Sequence, residues 1–143
     1  MYFSLIDLIY IKWYAHDGEI ELSSQEATVK KILWVSRHTP HGRQIETLRS
    51  TYGGDTVVDQ ESKPFDDARQ IVKRFREGKY DEMVIVAPLS VIAVICTEGI
   101  NPLYSEAIEE NDPAKIEFRG ARGQGFRFVR FRRIKRVALE FED

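Results

Sequence analysis

The sequence predicts an α/β fold: a small parallel sheet with helices on both faces, plus a basic antiparallel β appendage at the C-terminus. Two short, wholly apolar runs, Ile32-Leu33-Trp34-Val35 and Met83-Val84-Ile85-Val86-Ala87, are of the kind found in parallel strands covered on both sides. Amphipathic helical patterns stand between and after such runs, as crossover connections require. Beyond residue 109 the pattern changes to aromatics alternating with arginines. The 143 residues suit one compact domain, and 43% apolar with 31% charged residues is a globular composition. Three histidines and one cysteine argue against a Cys/His zinc site, so no metal and no cofactor are expected. Cys96 is the lone cysteine and cannot close an internal disulfide. No apolar run approaches the roughly 20 residues that cross a bilayer. The opening residues lack a secretory-signal pattern, so a cytoplasmic location with no membrane association is expected.

Residues 1–30 read as an N-terminal extension. Tyr2–Leu22 suggests two strands around the turn dipeptide Asp17-Gly18, and Ser23–Lys31 suggests a polar linker. Leu5, Leu8, Ile9 and Lys12 could equally mark a short helix. Residues 31–108 form the expected main domain. After the first strand, Thr39 caps a helix that Pro40 opens. Ile45, Leu48 and Tyr52 make its apolar stripe, and Gly53-Gly54 ends it. Thr56-Val57-Val58 is the second strand, running into Asp59-Gln60. Pro64 opens a second helix with Phe65, Ala68, Ile71, Val72 and Phe75 on one face, and Gly78 stops it. Met83–Ala87 is the central strand, followed by a turn at Pro88-Leu89 with Ser90 as helix cap. Val91–Cys96 is an apolar helix closed by Gly99. A fourth strand covers about Leu103–Ile108. This β-α-β-α-β-α-β alternation is that of a small Rossmann-like domain. In residues 109–143, strands are expected at 116–118, 126–131 and 137–141.

The net charge of -2 hides an asymmetry. Residues 115–136 contain nine basic side chains and a single acid, Glu117, leaving 12 basic against 22 acidic residues elsewhere. So basic an arm attracts phosphates, and RNA contact through residues 115–136 is one expectation.

In open parallel sheets ligands bind at the carboxyl ends of the strands, where helix N-termini favour anions. Three strand ends supply side chains to that edge: Ser36-Arg37-His38-Thr39, Asp59-Gln60 and Pro88-Leu89-Ser90. None is a glycine-rich dinucleotide loop or a Walker motif, which argues against NAD and ATP. Arg37 can clamp a phosphate, and a histidine such as His38 ordinarily titrates near about pH 6.5, where proton transfer is useful. Ser36 and Thr39 offer hydroxyls, and His41 and Arg43 two further phosphate contacts. Gln60, Ser90, Arg122 and Arg127 complete the candidate ligand-binding set. Cys96 and the acidic pairs Asp66-Asp67 and Glu109-Glu110 read as packing or solvated surface.

Two local likenesses fail on context. Ser36-Arg37-His38-Thr39 is similar to the Arg-His opening of histidine phosphatases, but that chemistry needs a later second histidine and none follows His41. Gln124–Phe131 is similar to the octamer of RNA-recognition motifs, yet only 12 residues follow where that fold needs a helix and a strand.

A broader likeness covers about Lys31 to Ile108. Lys31-Ile32-Leu33-Trp34-Val35-Ser36-Arg37-His38, Val84-Ile85-Val86-Ala87-Pro88-Leu89-Ser90-Val91 and Gly99-Ile100-Asn101-Pro102-Leu103 resemble the small Rossmann-like, CARF-related proteins of type III CRISPR systems, several of which are ring nucleases. The resemblance implies a homodimer holding a cyclic oligoadenylate, or another phosphate-rich nucleotide, across strand-end loops. It also implies metal-independent cleavage, in which a ribose 2′-hydroxyl attacks the neighbouring phosphorus. Arg37 would then neutralise the phosphate, His38 would shuttle a proton, and Ser36 and Ser90 would orient the ligand. The same residues also fit a sensor that binds a nucleotide or RNA without turnover, or an interaction subunit that docks through its arginines.

Overall fold

The computed structural model describes residues 9–16, 19–26, 29–63 and 67–143. It is a mixed α/β structure with two sheets. The first is a two-stranded antiparallel hairpin of β1 (Ile9–His16) and β2 (Glu19–Glu26). The expected strand pair is therefore present, but the polar segment Ser23–Glu26 belongs to β2 rather than to a linker. It pairs with Ile9–Lys12, and Lys31 already opens the next strand. Residues 2–8 and the Asp17-Gly18 dipeptide lie outside the described residues.

The second sheet contains β3 (Lys31–Val35), β4 (Val57–Glu61), β5 (Glu82–Ile85), β6 (Leu103–Glu109), β7 (Phe118–Arg119) and β8 (Gly125–Arg133), in the order β4-β3-β5-β6-β8-β7. The first four strands in that order are parallel, and β8 and β7 run antiparallel. Alternation in the strands sends side chains to opposite faces. Leu33, Val35, Met83 and Ile85 pack with α2 (Ala68–Glu77) and α3 (Leu89–Thr97). Ile32, Trp34, Val84 and Leu103 pack instead with Leu48 of α1 (Gly42–Tyr52).

Several boundaries differ from expectation for identifiable reasons. Helix α1 begins at Gly42, not Pro40, because His41 rather than Thr39 is its cap: the Arg43 N–H lies 3.3 Å from His41 Nδ1, and the Gln44 side chain accepts the His41 N–H. Strand β4 extends through Asp59 and Gln60, whose polar groups are satisfied in place. Asp59 accepts from the Tyr80 hydroxyl, and Gln60 donates to the Ser36 carbonyl. Asp67 caps α2, and Pro64 and Phe65 lie outside the described residues. Strand β5 stops at Ile85. Pro88 occupies the cap position of α3 without a side-chain bond, so Ser90 is an exposed helical residue and not a cap.

The basic segment extends the main sheet. The division expected at 108/109 falls within β6, and β8 pairs with β6 along that strand's whole length. Between Glu106/Ala107 the register shifts by one residue, leaving Val129 as a bulge. Residues 137–141 form no strand. The chain leaves the ladder at Ile134, where Asn101 donates to the carbonyls of Ile134 and Lys135 and Val137 packs on the α2–α3 core.

Carboxylates across the sheet are matched by arginines. Burial works to raise the Glu61 carboxyl, but the Arg74 guanidinium and the Lys63 N–H outweigh it and hold it below its ordinary 4.5. Glu106 is lowered by Arg130, and Glu110 by the Asp112 N–H and then by Arg127. Such groups take up protons less readily folded than unfolded, so stability rises with pH through their titration range. Unfolding midpoints in urea are expected to hold above about pH 5 and to decline as pH falls through 4.5 and below. Glu61→Gln should flatten part of that decline.

Candidate functional site

Counting only the four parallel strands, the order is second-first-third-fourth. The connection through α1 leaves β3 in one direction, and the chain returns through α2 to β5 on the other side. The switch point therefore lies between β3 and β5, and the space outside their carboxyl ends is where such sheets hold ligands. A cleft of about 590 Å³ opens there, bounded by Ser36 and His38 beyond β3 and by Val86 beyond β5.

Its far wall comes from the antiparallel strands. β6 pairs with β5 only at Leu103 and Tyr104, but continues with β8 to Glu109. At about 3.3 Å per residue, the β6–β8 ladder overshoots the parallel strands by roughly 15 Å. This places Tyr104, Ser105 and Ala107 along one side of the cleft, and Phe118, Arg119 and Phe126 across from α1. The rings of Phe118 and Phe126 stack with centroids 5.8 Å apart. Arg119 uses one nitrogen to donate to the Gly123 carbonyl at 2.9 Å.

The N-terminus of α1 supplies the floor. Buried Gln44 accepts the His41 N–H at 2.6 Å and donates to Ser105 Oγ at 2.9 Å, tying the helix cap to β6. Glu117, just before β7, reaches back over α1 with a side chain only 10% exposed. Its Oε1 accepts from Arg43 Nη1 at 2.6 Å and from the Phe128 N–H at 3.0 Å. Its Oε2 is buried without a hydrogen-bond partner among the described residues and stands 3.2 Å from His41 Nδ1. Arg43 also donates to the Phe128 carbonyl at 3.1 Å, so one guanidinium joins helix, loop and strand.

Of the expected site residues, Ser36, His38, Thr39 and His41 line this cleft. Ser36 is 2% exposed, and its hydroxyl accepts the His38 N–H at 3.1 Å, so it shapes the turn rather than presenting a free hydroxyl. The His38 carbonyl accepts from Trp34 Nε1 at 2.8 Å, and the residue is exposed. Arg37 is exposed and is not among the lining residues. Arg43 contributes through Glu117 instead of facing the cleft. Gln60 lies on β4 bonded to Ser36, and Ser90 on α3; neither lines the cleft. Arg122 lies outside it, and Arg127 is ion-paired with Glu110 at 3.2 Å. Arg130 and Arg132 are engaged by Glu106, and Arg133 by Glu82. Four of the nine basic residues in 115–136 are thus held in ion pairs with Glu82, Glu106 and Glu110.

Sequence reasoning passed over Gln44, Ser105, Arg119 and Glu117 as site residues. The one available signal was Glu117, the single acid in the basic run. Cys96 lies outside the cleft, and burial pushes its thiol up, which suits packing better than nucleophilic attack. Among the described residues, no group of three or more His, Cys, Asp or Glu side chains could hold a metal ion.

Gln44→Ala removes the amide that donates to Ser105 across the α1–β6 link and leaves the His41 N–H without its acceptor. Denaturant unfolding is expected to show a loss of about 1–3 kcal/mol.

Compared with protein-family models, curated proteins and solved structures, the chain matches none.

Proposed function

We propose that this protein is a Rossmann-like domain that binds a cyclic oligoadenylate, or a similarly phosphate-rich nucleotide, in the switch-point cleft and opens it as a metal-independent ring nuclease. The carrying observation is the cleft itself: His38, His41 and Arg119 converge there beside stacked Phe118 and Phe126. Aromatic faces suit a base, and a guanidinium with unused donors suits a phosphate. Two imidazoles suit proton transfer during attack by a ribose 2′-hydroxyl. The protein's part is positioning and charge stabilisation, needing no activated water.

Arg119 takes over the phosphate role expected of Arg37, because it lines the cleft and Arg37 does not. Thr39 is the nearby hydroxyl available to the ligand, since the Ser36 hydroxyl is committed to its turn. A homodimer fits the exposed apolar surface at the same edge, where Val86 and Leu89 are 43% and 69% exposed. The sensor reading is favoured by the absence of Arg37 from the cleft, which leaves Arg119, among the described residues, as the one arginine lining it. Generic RNA contact through residues 115–136 is less favoured, because Arg127, Arg130, Arg132 and Arg133 already have acidic partners.

Incubation with cyclic tetra-adenylate in excess chelator, followed by chromatography, tests the reading. Linear products ending in a 2′,3′-cyclic phosphate are expected. Arg119→Ala should weaken binding about tenfold or more, as loss of a charge-assisted bond implies. Tight binding with the ring intact would establish the sensor instead. Absence of both binding and turnover would refute the proposal.

A further inference from the structure

The pair formed by His41 and Glu117 has a feature that helix capping does not explain. A buried carboxylate oxygen with no donor is costly, and native structures seldom leave one. Among the described residues, the one polar side-chain atom against Glu117 Oε2 is His41 Nδ1, at 3.2 Å. That nitrogen also lies 3.3 Å from the Arg43 N–H, which it could accept only if it carried no proton. A neutral imidazole cannot serve both neighbours through one nitrogen. The Arg43 N–H is at an exposed helix end, where water can take it, whereas Glu117 Oε2 is closed off from solvent. Satisfying the carboxylate is therefore the better use of the proton.

We propose that His41, which lines the cleft, donates Nδ1–H to Glu117 Oε2 and keeps Nε2 as a proton acceptor, and that His41 is thereby the general base of the site with Glu117 as its positioning residue. The catalytic half of this proposal rests on the ring nuclease reading; the tautomer does not. A carboxylate behind an imidazole fixes its orientation and stabilises the charge it gains on accepting a proton. In the step itself, His41 Nε2 takes the proton of a ribose 2′-hydroxyl while that oxygen bonds to the adjacent phosphorus. The bond from phosphorus to the 5′-oxygen breaks, and that oxygen leaves with the electron pair and takes a proton from water. A 2′,3′-cyclic phosphate and a free 5′-hydroxyl result, and the imidazolium returns its proton to solvent.

Glu117→Gln separates the possibilities. The amide oxygen can keep the Arg43 and Phe128 bonds, which turns the amide NH2 toward His41 Nδ1 and forces that nitrogen to accept. Long-range proton–nitrogen NMR, at a pH high enough that the ring nitrogen shifts no longer change, reads the tautomer directly. The wild type is expected to carry the proton on Nδ1, and Glu117→Gln on Nε2. A wild-type Nε2–H tautomer would overturn the pairing. On cyclic tetra-adenylate, Glu117→Gln and His41→Asn should each lower kcat about 100-fold with KM little changed, and Glu117→Asp should recover part of the loss. Asn is itself a favoured helix cap, so His41→Asn is expected to fold. Full turnover by His41→Asn would overturn the base assignment. If the wild type leaves the ring intact, the ring nuclease reading and the base role fall together, while the tautomer measurement still decides the pairing.

Discussion

The cleft owes its shape to one buried carboxylate. Glu117 sits between the N-terminus of α1 and the antiparallel ladder, taking hydrogen bonds from Arg43 and from the Phe128 N–H and facing His41. Charge-assisted bonds of this kind contribute about 1.5–3 kcal/mol each, and removing the partners of a buried charge costs more than the bonds themselves contribute. The helix cap and the β7–β8 wall are therefore held together, although Arg43 and Glu117 are 74 residues apart in the chain. The more exposed ion pairs of Arg130 and Arg132 with Glu106 are of a weaker kind. They set register more than they add stability.

The rest of the site follows from chain connectivity and strand length. The crossovers place α1 on one face of the sheet and α2 and α3 on the other, which opens the switch point between β3 and β5. An open edge alone is a shallow place for a ligand. It becomes a cleft because β6 and β8 run on past their parallel neighbours, with the bulge at Val129. Stacked aromatics, an arginine and two histidines then face one space. This is why the functional proposal rests on the antiparallel strands as much as on the parallel ones.

The apolar parity of the main strands was legible in the sequence. Burial on both faces writes itself as continuous runs such as Ile32–Val35, and the helix stop at Gly53, with φ of 124°, follows from backbone chemistry. Polar residues satisfied only by tertiary partners were not. Asp59 and Gln60 looked like a strand end because Tyr80 and Ser36 are distant in sequence. His41 was passed over as a cap because histidine is not among the usual capping residues and Thr39 is. The arginine tail looked free for phosphates because its acidic partners, Glu82, Glu106 and Glu110, become neighbours only through strand order and the bulged register. Glu117 stood out as the one acid in that tail, but its partners on α1 could not be read from spacing.

The most direct test of this account is amide NMR of the protein titrated with cyclic tetra-adenylate, since it locates a ligand independently of any chemistry done on it. Shifts concentrated at His38, His41, Ser105, Glu117 and Phe126 are predicted, marking both walls of the cleft at once. Shifts confined to exposed arginines such as Arg122 and Arg136, with the strand-end residues unmoved, would contradict it.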